Sequence, residues 1–251
     1  MGEGPSVEIA LANHDRVTLR VGDTFLKVDA DGDRSAKEAE AIALAPVPTP
    51  EVLWHRPPVL ALAALTGRPL ERLGEPSTAS PRAWAAVGAE VRRLHDAPLP
   101  PWRDESAHDR ATKLERECAW LAANDVVDTK VRSRNRELAE RVLEPATPSF
   151  IHGDLHLEHV FVDGDVVTGF IDWSEARQGD LAYDLASLTL GHRERLDDLL
   201  AGYGADVDRD RIRGWWSFRC LCAVRWLTEN GYGPPADLPE VALLDEVDTS
   251  H

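Results

Sequence analysis

One stretch of the chain constrains its fold more than any other: Phe150-Ile-His152-Gly153-Asp154-Leu-His156-Leu-Glu158-His159-Val-Phe-Val-Asp163-Gly164-Asp-Val-Val-Thr-Gly-Phe-Ile-Asp172-Trp173. An apolar strand delivers His152, Gly153 and Asp154 into a loop. Val160–Val162 and Val166–Val167 then flank Asp163-Gly164, a hairpin signal, and the second strand ends on Asp172. Both acids therefore sit at strand ends facing one cleft. Phosphoryl transfer asks for this layout: one carboxylate orients the acceptor hydroxyl and takes its proton, and a second holds the metal that bridges the phosphates. If Asp154 and Asp172 were only turn and cap acids, their placement after two apolar strands would be a coincidence.

Elsewhere the pattern divides in two. From Val7 to Val28, short alternating apolar runs separated by Asn13-His14-Asp15 and Gly22-Asp23 predict three antiparallel strands. An Ala- and Glu-rich helix over 34–45 follows, stopped by Pro46, Pro48 and Pro50, and runs at 52–54 and 59–65 complete a five-strand sheet. After Thr66-Gly67-Arg68-Pro69 the chain turns helical, so the lobes divide as 1–66 and 67–251. Helices are expected at 81–95, with Ser80 as N-cap and Pro81 in the first turn, and at 106–124, 132–143, 193–203 and 209–229. The last carries apolar residues on most faces and should be deeply buried, whereas the proline-rich tail after Gly231 reads as loosely ordered. The fold class is α+β.

The intervals also match the protein-kinase catalytic loop, in which a metal-binding Asn follows the base by five residues and a second metal-binding Asp closes the next hairpin. Here the chain resembles the aminoglycoside phosphotransferase family, whose signature is His-Gly-Asp, then Asn, then an Ile-Asp pair. The order of elements is similar along nearly the whole chain, and the motif match lies within 150–188. The resemblance implies a protein-kinase-like bilobal fold, ATP or GTP as phosphoryl donor, and Mg2+. By the same likeness Asp154 is the catalytic base and Asp172 a metal ligand. Asp184, in Gly179-Asp-Leu-Ala-Tyr-Asp184, braces the catalytic loop together with His152. His159 stands where the family has its metal-binding Asn. Imidazole suits manganese or zinc better than magnesium, so His159 either reaches the metal through water or tilts the enzyme toward Mn2+.

In the N-terminal sheet Lys27, on the third strand, stands where a kinase lysine reaches the donor phosphates. Its acidic partner is Glu38, on the apolar face of the following helix with Ile42 and Ala45, or else Glu40. The loop 13–16 would cover the phosphates, although it is not glycine-rich. Small apolar side chains in 59–65 leave room for a base.

With 28 Lys and Arg against 44 Asp and Glu, the formal charge is −16, which repels nucleic acid and anionic membranes and either favours a cationic small-molecule acceptor, such as a polycationic antibiotic, or serves solubility alone; a sugar or amino-alcohol metabolite stays open as acceptor. Glu175 and Asp180 are candidates to line the acceptor pocket, with solvated loop acids as the alternative, and the eight tryptophans read as core and lobe packing, Trp173 being the one exception open to substrate stacking because it directly follows Asp172. No apolar run approaches the roughly 20 residues of a membrane span, the start of the chain lacks a basic, apolar leader, and three cysteines show no metal spacing. A cytoplasmic protein is expected, with its oligomeric state open. Two other classes compete: a nucleotide-binding pseudokinase that regulates a partner, and a metallohydrolase holding its ion with His152, His156, Glu158 and His159.

Overall fold

The computed structural model describes residues 6–12 and 15–246. Strands β1 (Val7–Ala12), β2 (Arg16–Val21), β3 (Thr24–Asp29), β4 (Val52–Arg56) and β5 (Val59–Ala63) form an antiparallel sheet in the order β1-β2-β3-β5-β4. Gly22, at φ +60°, supplies the left-handed residue of the β2–β3 turn, where Val21 pairs with Thr24. Helix α1 (Gly32–Leu44) starts at Asp31, whose side chain accepts from Asp33 N, and it buries Ser35, Glu38, Ala41 and Ile42. All six residues of β1, an edge strand of the sheet, are exposed.

The rest is mainly helical: α2 (Pro81–His95), α3 (Ala107–Ala123), α4 (Thr129–Glu140), α5 (Leu181–Thr189), α6 (Leu196–Tyr203), α7 (Arg209–Glu229) and α8 (Pro239–Asp245). Ser80 caps α2 by accepting from Ala83 N, and Trp84, Val87, Val91 and Leu94 form its wholly buried stripe. Helices α2 and α6 approach backbone to backbone at two glycines. A Cβ on Gly88 would lie 2.0 Å from Leu199 O, and one on Gly202 would lie 1.7 Å from Ala85 O. Gly88→Ala must push these helices apart, and urea titration should show a loss of about 1–3 kcal/mol or more. An unchanged midpoint would mean that the contact is not tight.

Two small sheets carry the motif. β7 (Ser149–Ile151) pairs with β10 (Arg177–Gly179), and the hairpin β8 (Val160–Asp163) and β9 (Val166–Phe170) takes β6 (Arg68–Pro69) as a third strand. The hairpin turn is Gly164-Asp165, one residue later than expected, because Asp163 still pairs with Val166. Arg68 and Pro69, expected as a bare connector, join β8 instead. Gly67, at φ +87°, lets the chain pass so close that a Cβ there would lie 2.3 Å from Val162 O.

Helix α5 is an element the apolar pattern did not announce, and two further expectations are corrected. As far as residue 246 the tail is packed: Leu238, Leu243 and Leu244 are buried and α8 packs on α7, while residues 247–251 lie outside the described residues. Helix α7 is buried on one broad side only, and its Trp226 is 55% exposed. Among the described residues no helix is long and apolar enough to cross a membrane.

Candidate active site

The loop after β7 is held from below. Asp184, on the first turn of α5 and wholly buried, accepts from His152 N at 2.7 Å and Gly153 N at 3.0 Å, with His95 Nε2 at 3.3 Å. Burial opposes its ionisation, but His95 and His152 more than offset this and hold the carboxyl below its usual range. Gly153 turns the chain at φ +81°, and a Cβ there would lie 2.3 Å from Glu175 O. His152 is fully buried, which lowers its pKa to about 4 and keeps it neutral. Its Nε2–H donates to Ile171 O at 2.9 Å, and its Nδ1 accepts from Asp154 N at 3.3 Å. One imidazole thus ties the start of the loop to the end of the hairpin.

Asp172 follows β9 in a left-handed conformation, φ 64°, uncommon for any residue but glycine. Its Oδ1 accepts from Lys27 Nζ at 3.1 Å and Arg16 Nη1 at 2.8 Å. Lys27 also bonds Glu38, which is completely buried, whereas Glu40 is exposed on the outer face of α1. Burial raises the pKa of Asp172, yet Lys27, His159 and Arg16 together hold it far below the usual carboxylate range. Lys27, Glu38 and Asp172 therefore come together across 145 positions of chain, as far apart as Lys27 and Asp172.

Arg16 had no role in the sequence reading beyond a place in the loop 13–16; Asn13 and His14 of that loop lie outside the described residues. It opens β2, is 3% exposed, and its guanidinium bonds Asp29 at 2.6 and 3.1 Å, Glu38 at 2.8 Å and Asp172 at 2.8 Å. Burial disfavours its charge, but the Asp29 hydrogen bond and the charges of Glu38 and Asp172 raise its pKa further still.

Asp154 lies across the loop from this cluster. Its carboxylate is partly open and lines a cavity of 540 Å³ walled by Leu190, Phe218 and Trp226. Burial raises its pKa, with His159 and Arg219 pulling the other way. His159 stands between the two acids: Nδ1–H donates to Asp154 O at 2.7 Å, which leaves Nε2 3.9 Å from Asp172 Oδ2. Arg219, on α7, donates to Tyr183 Oη at 2.6 Å and approaches Asp154 Oδ1 to 4.0 Å. It too escaped the sequence reading, although it stands four residues after Trp215 and seven after Ile212, on the apolar stripe of its helix.

The acid excess of the chain is not concentrated in this cavity. Lys113, Arg116, Arg219 and Arg225 balance Asp154, Glu117, Glu229 and Glu240. Among the described residues Glu117 Oε2 is buried without a partner, and burial raises the pKa of Glu240.

The remaining candidates separate. Glu175 is half exposed at the rim, 4.0 Å from Arg34. Asp180 is not brought to the group: it caps α5, and its buried carboxylate is taken up by Arg211 at 2.5 Å and Trp215 Nε1 at 2.6 Å. Trp173 cannot stack on substrate, being wholly buried against His152, Phe150 and Phe170, with Nε1–H bonded to Phe170 O. Nor do His152, His156, Glu158 and His159 assemble as a hydrolase centre, since both nitrogens of His152 are engaged and Glu158 faces Arg72 in solvent.

A sheet lobe that sends a lysine, held by a helix carboxylate, toward an aspartate at the end of a hairpin has the protein-kinase-like fold, with a loop carboxylate facing a separate cavity. The narrower assignment comes from sequence. The profile of the phosphotransferase enzyme family matches residues 9–215, and the chain belongs to that family of enzymes. Streptomycin 3''-kinase of Streptomyces griseus is 28% identical over 195 residues, covering 66% of this chain and 71% of that one. An aminoglycoside phosphotransferase, APH(3'')-Id of Streptomyces rimosus, solved with ADP and streptomycin, is 25% identical with a TM-score of 0.64 over 88% of this chain and 94% of its own. The GDP and kanamycin complex of APH(2'')-IIIa, 18% identical, superposes with a TM-score of 0.71 over 96% of this chain and 92% of its own, which bears on the fold alone.

Proposed function

We propose that this enzyme transfers the terminal phosphoryl group of ATP or GTP to a hydroxyl of a small molecule, an aminoglycoside or another cationic antibiotic. The observation that carries the reading is Asp154 at the wall of a 540 Å³ cavity, with His159 linking it to an Asp172 already paired with Lys27. Residues 1–66 are the nucleotide lobe and 67–251 the catalytic and acceptor lobe. Asp154 orients the acceptor hydroxyl and takes its proton. Lys27, steadied by Glu38, neutralises donor phosphate, while Asp184 and His152 keep the loop in shape. Glu117 and Glu240 suit ammonium groups: Glu117 pairs with Arg116 through Oε1 but keeps a buried Oε2 without a partner, and burial disfavours the charge of Glu240, which a ligand cation would offset. The streptomycin named for two of the relatives is such an acceptor.

The donor set fits a divalent ion. Lys27 and Arg16 both bond Asp172 Oδ1, so Oδ2 and His159 Nε2 face each other as an oxygen and a nitrogen donor. Mg2+ or Mn2+ held there would offset charge on the phosphates. The mixed pair suits manganese better than the family's Asn would. His159→Asn is expected to raise the rate with magnesium relative to manganese; an unchanged ratio in steady-state assays removes His159 from metal preference.

A thermal-shift screen with ATP, GTP and acceptors in either metal, followed by turnover assays, tests the whole reading, because a ligand specific for the native state raises the melting temperature. Nucleotide binding without transfer to any aminoglycoside, other antibiotic or metabolite would favour a regulatory pseudokinase. Activity without nucleotide would end both ideas.

A further inference from the structure

His156 is a neighbour of Asp154 that the transfer reaction leaves without a task. It opens the short turn 157–159, and its side chain makes no capping hydrogen bond. Its Nε2 lies 3.8 Å from Asp154 Oδ2, as does Nδ1 of His159. The two imidazoles lie with centroids 3.6 Å apart and planes inclined at 36°. Among the described residues this is where three metal-ligating side chains converge: one ligand atom each from Asp154, His156 and His159 fall within 4.8 Å of one another.

The chemistry of the set is selective. Two imidazoles and one carboxylate suit zinc and its neighbours, whereas Mg2+ wants an all-oxygen shell. Ligand atoms on one tetrahedral zinc stand roughly 3.3 Å apart, given bonds of about 2.0 Å, so modest side-chain rotations close the set. Asp154 and His156 have room to turn, each side chain being 37% exposed. His159 offers Nδ1, 3.8 Å from Asp154 Oδ2, once that nitrogen exchanges its hydrogen bond to the Asp154 carbonyl for the ion, and the proton then sits on Nε2, the nitrogen that faces Asp172.

We propose that Asp154, His156 and His159 bind a transition-metal ion of the zinc type, and that the ion switches transfer off. A carboxylate coordinated to such an ion is withheld from the acceptor hydroxyl. His159, common to both sets, is at the same time withheld from the metal of the nucleotide. The switching half rests on the role proposed for Asp154; the binding half does not.

The test uses the full chain and Co2+ as a spectroscopic probe, without nucleotide or magnesium. The wild type should bind one cobalt with the intense visible absorption of a four-coordinate site, displaced by Zn2+. His156→Leu should weaken this at least about tenfold, the loss that removing even an outer-shell partner causes. Melting with and without ATP shows that the variant is folded. In turnover assays with excess magnesium nucleotide, stoichiometric zinc should inhibit the wild type and spare His156→Leu, whose rate without zinc stays unchanged. Equal cobalt affinity in the two proteins, or none in the wild type, overturns the site. Zinc that binds without slowing turnover overturns the switch and counts against Asp154 as base, a failure distinct from loss of the site.

Discussion

Asp154→Asn should lower kcat by about 10²–10⁴-fold, the contribution typical of a positioned general base, while the rise in melting temperature caused by nucleotide stays as in the wild type. The split follows from the geometry. Asp154 faces the acceptor cavity, and the side chains proposed to meet the phosphates, Lys27 and Asp172, form a separate cluster beyond His159. The wild-type pH profile offers a second readout. Burial raises the pKa of Asp154, and the base must be ionised, so kcat/KM should fall on the acid side at a pH above the ordinary Asp value of about 3.9. Arg219 favours the ionised form, so Arg219→Gln should move that acid limb to still higher pH. Turnover by Asp154→Asn within a few-fold of wild type would remove the catalytic assignment.

The parts of this site that were legible are those whose chemistry is local in sequence. His152, Gly153 and Asp154 are consecutive, and Asp172 closes a hairpin that can be read from Val160 onward. Lys27 was singled out only because the downstream motif points to a kinase lysine on the third strand, and helical periodicity then put Glu38 on the face of α1 turned toward it. Arg16 was not, because its place depends on carboxylates from three parts of the chain, β3, α1 and the turn that follows β9, and a single arginine at a strand start reads as solvated. Asp180 failed in the opposite sense: an acid before a helix was visible, but not the Arg211 and Trp215, some 30 residues on, that occupy it. Helix α8 was hidden by the prolines around it, although Pro239 only opens its first turn.

Arg16 leads to the largest expected loss of stability. Its side chain and those of Asp29 and Glu38 are 2%, 1% and 0% exposed, so the guanidinium is the counter-charge of two carboxylates closed off from water. Arg16→Met keeps much of the volume and removes the charge, which among the described residues leaves Asp29 without its guanidinium and Glu38 with Lys27 as its remaining cation. Stranding a buried charge in this way costs about 3–5 kcal/mol, and urea unfolding should show it as a lower midpoint at similar slope. Activity should fall as well, since Asp172 loses one of the two cations on Oδ1. Arg16→Lys should recover only part of either quantity, because an ammonium cannot bond three carboxylates in the planar fork that Arg16 uses. If the deficit is electrostatic, adding Asp29→Leu to Arg16→Met should return part of the stability, and the two changes will not be additive. A loss below about 1 kcal/mol for Arg16→Met would mean that water reaches these carboxylates, and the enclosed charge cluster that aligns Glu38 with Asp172 would have to be abandoned.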